Sequence, residues 1–380
     1  MHSIRAIDIR LLGKKRTGDE AVFFNLTKGV LALDKTNDYL LLTDETDPEK
    51  ISLLESQLFS SGQKNTRIVS LFGKNRFVWN LISVPWFLFT RNIDLYHTQY
   101  ILPLFVPKRT KVVTHIHDVS FRAYPKLIGF LDRFFLSVFI PRSLQRTDCI
   151  VAPSQFTKDE IIRYYRIAPE KIAVIPNALG GEFLAEDVKT RAELDRKYHL
   201  RGEFILYVGT LQPRKNIPFL IRAFQKLREQ LPGLSLVLVG NRLAHHVDPA
   251  IDQVIKELDL ETHVYFPGYV DSEDLPSLMA LASVFVCPSL YEGFGIPLLE
   301  AMSQGVPVAA SHIPSQREVG GDAPLYFDPS NLASCQEKLY NLVTDKNARE
   351  RAISLGKSRL SLFSWEKSST LLYGVYEAVS

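Results

Sequence analysis

Two acidic residues eight positions apart, Glu292 and Glu300, sit in the string Pro288-Ser289-Leu290-Tyr291-Glu292-Gly293-Phe294-Gly295-Ile296-Pro297-Leu298-Leu299-Glu300-Ala301. A chain with 42 acidic residues offers such pairs by accident, so the surroundings carry the meaning. The apolar run Val284–Cys287 reads as a buried strand that ends just before the string. Gly293 and Gly295 let backbone approach a ligand closely, and Pro297 suits the first turn of a helix. Glu300 then lies about one turn inside that helix. Amides at the helix start, from Gly293 and Phe294 through Gly295 and Ile296 to Leu298, are placed to bind a diphosphate without a metal. Glu292 can accept hydrogen bonds from sugar hydroxyls, and Glu300 can take the two hydroxyls of a ribose.

A second string, Tyr207-Val208-Gly209-Thr210-Leu211-Gln212-Pro213-Arg214-Lys215-Asn216, ends a strand at Gly209 and puts two adjacent cations on the following turn. Arg214 can grip phosphate bidentately and Lys215 as a point charge. Together they would neutralise a departing diphosphate. Third is His115-Ile116-His117-Asp118 at another strand end. A metal site would need further ligands at suitable spacing, and none follows. His117 can instead donate a hydrogen bond to a sugar, with Asp118 either orienting it or capping the next turn; His115 reads as a structural histidine. Fourth is the turn Arg16-Thr17-Gly18-Asp19-Glu20, whose Gly18 amide could touch a diphosphate or an acceptor.

The elements that must hold these strings alternate between short apolar runs and helical periodicity, as in βαβ units on parallel sheets. Strands are expected over 4–9, 38–43, 66–70, 95–97, 111–115, 149–152 and 173–175, then over 204–208, 235–239, 264–266, 284–287, 308–310 and 325–327. Helices are expected over 20–33 and 130–145, and in the second half over 218–230, 249–258, 274–281 and 297–304. Such sheets bind ligands at the carboxyl ends of their strands, where all four strings fall. At 380 residues the chain suits two domains, with a seam at Pro176-Asn177-Ala178-Leu179-Gly180-Gly181 and a terminal amphipathic helix capped by Ser364.

Composition narrows the partners. Residues 51–150 hold 13 Lys and Arg against 5 Asp and Glu, whereas residues 191–380 hold 19 against 22. A basic first half fits an anionic membrane surface or a phosphate-bearing acceptor; no nucleic-acid-binding motif accompanies it. Trp79, Trp86 and Phe87 beside Lys74 and Arg76, with Arg133-Phe134-Phe135, are the aromatic and basic residues suited to such a surface. The longest uncharged apolar run, 77–90, is too short to span a bilayer. Cys149, Cys287 and Cys335 form no framework, and the first residues run into a strand pattern rather than a signal peptide; a cytoplasmic chain, peripheral at the inner face of a membrane, is expected.

In this order the strings resemble the large GT-B family of retaining glycosyltransferases known as family 4 (glycosyl transferases group 1), which includes many mannosyltransferases. The resemblance also takes in Asp148-Cys149-Ile150-Val151-Ala152-Pro153-Ser154-Gln155-Phe156-Thr157 and the Ser364-Trp365-Glu366 tail. It implies two Rossmann-like doubly wound domains facing a cleft: 1–177 for the acceptor, 178–363 for the nucleotide-sugar, and a helix over 364–380 crossing back to the first. Arg214 and Lys215 match the family's donor-phosphate pair, Glu292 and Glu300 its E-x7-E motif, and His117 its cleft histidine. The implied activity is metal-free transfer of a sugar, mannose foremost, from GDP-mannose or a UDP-sugar to a hydroxyl of a glycan or of a polyprenyl- or other lipid-linked acceptor. Front-face attack, with the leaving diphosphate taking the acceptor's proton, is the implied route. Two positions depart from the family. Thr17-Gly18-Asp19-Glu20 stands where Gly-Gly-x-Gly or Gly-Ile-Gly-Arg is common, and Asn177-Ala178-Leu179 replaces Asn-Gly-Val. A nucleotide-sugar epimerase, a phosphorylase on the same fold and a non-catalytic sugar-nucleotide scaffold are the competing readings.

Overall fold

The protein is seen as a computed structural model that describes residues 2–14, 18–60, 62–125, 130–184, 189–200, 202–243 and 246–380, with backbone alone for 130–135. Contacts divide it into two compact units, one of Met1–Pro125, Gly129–Ala178 and Ser364–Ser380, the other of Leu179–Phe363.

Among the described residues the first unit is built on a seven-stranded parallel sheet: β1 (Ile4–Asp8), β2 (Asp38–Thr43), β3 (Thr66–Ser70), β4 (Leu95–Gln99), β5 (Lys111–His115), β6 (Cys149–Ala152) and β7 (Ile172–Val174). Their order is β3-β2-β1-β4-β5-β6-β7, so the winding reverses between β1 and β4. Runs such as Leu40-Leu41-Leu42 are apolar at consecutive positions because helices cover both faces of the sheet. The strand expected over 95–97 continues to Gln99, which pairs in register with His115. That extension brings Gln99 to the loop carrying His117.

The helix Gly18–Leu33 buries Val22, Phe23, Leu26, Val30 and Leu31 at helical spacing. The terminal helix Trp365–Val379 packs against it. Gly29 makes the crossing possible, since a Cβ there would collide with the Ser369 side chain. Ser364 caps the terminal helix by accepting from Lys367 N at 3.2 Å, and Ser368 Oγ donates to Pro176 O at 2.5 Å. Two turns further on, the Tyr376 hydroxyl lies 2.6 Å from His97 Nδ1.

His97 belongs to a buried imidazole column. It lies 6.3 Å from the His115 ring, which stacks on His117 at 4.3 Å and 20°. Burial, reinforced by His117, holds His97 down to about 3 and His115 well below the ordinary histidine value. Both imidazoles therefore stay neutral when folded but protonate near 6.5 when unfolded. The stability this lends is complete above that pH and is lost as pH falls toward about 3. Each group loses about 1.4 kcal/mol per pH unit. His115→Leu is expected to lose less stability than the parent as pH falls from 6.5 to about 5. Urea melts at the two pH values check this, and an unchanged pH slope would remove His115 as a cause of acid lability.

The second unit has a six-stranded parallel sheet of β8 (Phe204–Val208), β9 (Ser235–Val239), β10 (Val264–Tyr265), β11 (Val284–Cys287), β12 (Val308–Ser311) and β13 (Leu325–Phe327), again among the described residues. Its order, β10-β9-β8-β11-β12-β13, reverses between β8 and β11. Alternate side chains point to opposite faces. Leu206, Phe285 and Cys287 enter one core layer, while Ile205, Tyr207, Val284 and Val286 enter the other under the helix Ile217–Arg228. The strand-end strings of 207–216 and 288–301 thus leave adjacent strands at the reversal, where an open α/β sheet leaves a crevice.

Candidate functional site

The chain leaves β8 through a tight crossing. Gly209 N donates to Val239 O at 3.0 Å, and a Cβ on Gly240 would press into the Gly209 carbonyl. Pro213–Lys215 then forms a single 3-10 turn, closed by Asn216 in the left-handed region (φ 60°). Its Nδ2 donates to Pro329 O at 3.0 Å, fixing the start of Ile217–Arg228. This turn is stitched to the loop after β11: Leu290 N donates to Arg214 O at 2.8 Å, and Arg214 Nη1 to Tyr291 O at 3.1 Å.

Between the two loops lies Glu292, 7% exposed. Its Oε2 accepts from Arg214 Nη1 at 3.1 Å, and its Oε1 from Lys215 Nζ at 2.5 Å and Ser289 Oγ at 2.6 Å. Burial alone would raise this carboxyl's pKa, but Lys215 and Arg214 outweigh it and bring it down to about 2. The acid and the two cations, assigned by sequence to separate grips on sugar and phosphate, form one ion cluster.

A buried line of donors stands behind it. Gln316 Nε2 donates to Cys287 Sγ at 2.9 Å, Cys287 Sγ lies 3.8 Å from Ser289 Oγ, and Ser289 donates to Glu292. Burial, followed by the charge of Glu292, pushes the Cys287 thiol up to about 12, so it keeps its proton. Donors aligned in one direction reinforce one another. The sequence reading missed Ser289 and Gln316. Ser289 lies within the Glu292 string, and its signal was a hydroxyl three positions before the acid. Gln316, from the helix Pro314–Gly320, gave none.

Gly295 starts the helix Ile296–Ser303 with φ 102°, a conformation that glycine adopts without strain. Ile296 opens the helix, where the first amides have no intrahelical acceptor. One amide differs from expectation. Leu298 donates its amide to Gly295 O at 3.0 Å and turns its side chain into the core. Phe294 packs edge-on against Phe363, ring centroids 5.6 Å apart. Neither side chain is available to a ligand. Gly293 is buried in the loop, and Glu300 is half-buried one turn into the helix.

The first unit carries the histidine string. His117 Nε2 lies 2.7 Å from Gln99 Oε1, an acceptor, so this nitrogen carries the proton. Its Nδ1 lies 3.8 Å from Asp19 Oδ1. Asp118 does not orient the ring. Its Oδ1 accepts from Ser120 N at 2.9 Å and Ser120 Oγ at 2.8 Å, the capping alternative. Gln99 and Asp19 hold the position that sequence offered to Asp118. Gly18 is the first residue of Gly18–Leu33 rather than part of an open turn, and Glu20 Oε1 accepts from Gly13 N at 2.7 Å. The acids that replace the family's glycines at this loop thus have partners within the unit. Arg16 and Thr17 lie outside the described residues. Among the described residues no three His, Cys, Asp or Glu side chains converge as a metal site requires.

The family described as Glycosyl transferases group 1 matches residues 191–359, and Glycosyltransferase Family 4 matches residues 45–179. O-antigen chain mannosyltransferase B of Escherichia coli is 34% identical over 276 residues, covering 72% of this chain and 72% of its own length. Serotype-specific mannosyltransferase WbdA, also of Escherichia coli, is 32% identical over 234 residues, 60% of this chain but 28% of the relative. The crystal structure of Anabaena Alr3699/HepE in complex with UDP and glucose matches with a TM-score of 0.72 at 18% identity, over 100% of both chains. The two parallel α/β sheets are those of the GT-B fold class, as the resemblance implied. Family matches on both halves, and a relative covered over 72% of its length, establish that the chain belongs to glycosyltransferase family 4.

Proposed function

We propose that this glycosyltransferase moves a sugar, mannose foremost, from a nucleoside diphosphate-sugar to a hydroxyl of a glycan or lipid-linked acceptor with retention of anomeric configuration. The observation that carries the reading is the Glu292–Arg214–Lys215 cluster at the reversal between β8 and β11. Mannose and the glycan acceptor draw on the names of the two mannosyltransferase relatives, and the nucleoside diphosphate on the UDP-bound neighbour.

In this scheme the diphosphate lies across Arg214, Lys215 and the start of Ile296–Ser303, and Glu300 takes the ribose hydroxyls. Cations and helix amides stabilise the charge that develops on the leaving phosphate. As phosphate engages the cations, Glu292 turns its lone pairs to the sugar hydroxyls. The bond from the anomeric carbon to the phosphate oxygen breaks, and the bond to the acceptor oxygen forms on the same face. The acceptor's proton passes to the departing phosphate. His117 is the proposed hydrogen-bond donor to the sugar: its Nε2–H, held by Gln99 in the free protein, turns to a sugar hydroxyl as the donor binds, with Asp19 beside the other ring nitrogen.

The test is a thermal-shift panel of GDP, UDP and ADP with their mannose and glucose derivatives, followed by donor hydrolysis. GDP-mannose or a UDP-sugar is expected to raise the melting temperature, since saturation at about 100 times Kd adds about 2.7 kcal/mol. The same donor should release its nucleotide with EDTA present. No shift with any of them, or release of an epimerised sugar without acceptor, would overturn the proposal.

A further inference from the structure

The first unit presents an apolar, basic face that the transfer chemistry does not use. From residue 56 to residue 117 the chain has eight Lys and Arg but a single acid, Asp94. Within that stretch the segment Trp79–Ser83 and the helix Val84–Thr90 are apolar on two sides. One side is core: Trp79, Val84 and Leu88 are buried, and Trp79 Nε1 donates to Asp8 Oδ2 at 2.9 Å. Trp79 and Phe87, taken from the sequence as surface aromatics, therefore belong to the interior; the side chains of Arg133, Phe134 and Phe135 lie outside the described residues.

The other side is open. Ile82, Trp86 and Phe89, at spacings of four and three, are 52%, 67% and 57% exposed. Leu104 N donates to Asn80 O at 3.0 Å, which brings the next loop alongside and adds Phe105, 56% exposed. Phe89 and Phe105 border a groove of about 520 Å³ whose edge carries Lys108 and Arg142. Neither cation is in an ion pair among the described residues. Exposed aromatics beside uncompensated cations suit an interface that is apolar below and anionic above. A second copy of the chain fits poorly, because a two-fold contact would set like charges against each other. Among the described residues no helix is long and apolar enough to cross a membrane.

We propose that this face docks on an anionic phospholipid bilayer, with Ile82, Trp86, Phe89 and Phe105 at the acyl boundary and Lys108 and Arg142 on lipid phosphates. The inference deepens the lipid-linked acceptor of the proposed function and is tested apart from it. Wild-type protein is sedimented with phosphatidylcholine vesicles, with and without phosphatidylglycerol, at low and high salt. Binding is expected on the anionic vesicles alone, weakened by salt, with tryptophan emission quenched by brominated lipid. Trp86→Ser/Phe89→Ser and Lys108→Glu/Arg142→Glu should each weaken binding by about tenfold or more, while the thermal shift with UDP or GDP is unchanged. Trp86→Phe should bind but lose the quenched signal. Absent wild-type binding, wild-type affinity in both double variants, or a dimer that Trp86→Ser/Phe89→Ser converts to monomer would overturn the proposal. The nucleotide shift, read on the same samples, shows separately whether the donor site stands.

Discussion

Glu292→Gln is expected to separate binding from turnover, with affinity for free UDP or GDP rising severalfold and sugar transfer falling about a hundredfold or more. In the free protein the Glu292 carboxylate engages both cations that the diphosphate needs. An incoming phosphate must share them, and the neutral amide removes that competition. The same change deletes the acceptor proposed for the sugar hydroxyls, a group acting where charge develops, so the barrier rises by about 2.7 kcal/mol. Lys215→Ala acts differently. Arg214 and Glu292 remain paired, the leaving phosphate loses a point charge, and both nucleotide affinity and turnover fall, turnover again by about a hundredfold. Calorimetry with UDP and GDP, beside steady-state transfer, measures the two quantities. Thermal melts of each variant check that the loops still close. If Glu292→Gln lowered affinity and turnover in equal measure, Glu292 would be a structural counter-ion and its proposed part in transfer would be lost.

What the sequence revealed, and what it hid, divides along the distance over which each signal acts. Gly295 and Pro297 announce a helix start through backbone rules confined to a few positions, and the apolar runs announce their strands equally locally. The strand ends are nearly those expected; Val308–Ser311 is longer by one residue and Ile172–Val174 is shifted by one, at boundaries where periodicity is weakest. The ion cluster is another matter. Glu292 and Lys215 are 77 positions apart and meet because β11 pairs with β8, a neighbour relation that no local pattern records. Gln99 reaches His117 for a similar reason, through the register of β4 on β5. The aromatic face was half read because Trp79–Ser83 is a π-type turn, which shifts the phase of the side chains relative to an ordinary helix. Trp79 is consequently turned into the core and Ile82 outward. The Leu298 amide was given to the ligand by its place at the helix start, but within that first turn it donates to Gly295 O.

Arg5 is a buried charged residue of the first unit, at 1% exposure near the start of β1, and Arg5→Met is expected to cost about 3 kcal/mol. Its guanidinium donates to Asp34 Oδ2 at 3.0 Å and to the Tyr39 hydroxyl at 3.1 Å, and it pairs with Glu377 of the terminal helix. The rings of Tyr39, Tyr373 and Tyr376 surround it at 5.9, 5.7 and 5.6 Å. Burial alone would raise the pKa of Asp34, but hydrogen bonds from Asn37, Tyr39 and the 36–37 backbone bring it down to about 2. Asp34 therefore stays charged when Arg5 is removed, and a buried carboxylate without its cation is what costs stability. Those remaining hydrogen bonds place the loss near the lower end of the range for a broken buried pair, about 3–5 kcal/mol. Asp34→Asn should recover part of it in the double variant, because the stranded charge is then gone. Arg5→Met also removes the partner of Glu377, so amide hydrogen exchange over Trp365–Val379 should quicken beyond that of the sheet. Stability within about 1 kcal/mol of the parent, with exchange in that helix unchanged, would mean that Gly29, Ser368 and the aromatic packing hold it without the arginine. The pairing would then be a consequence of the terminal helix's position rather than its cause.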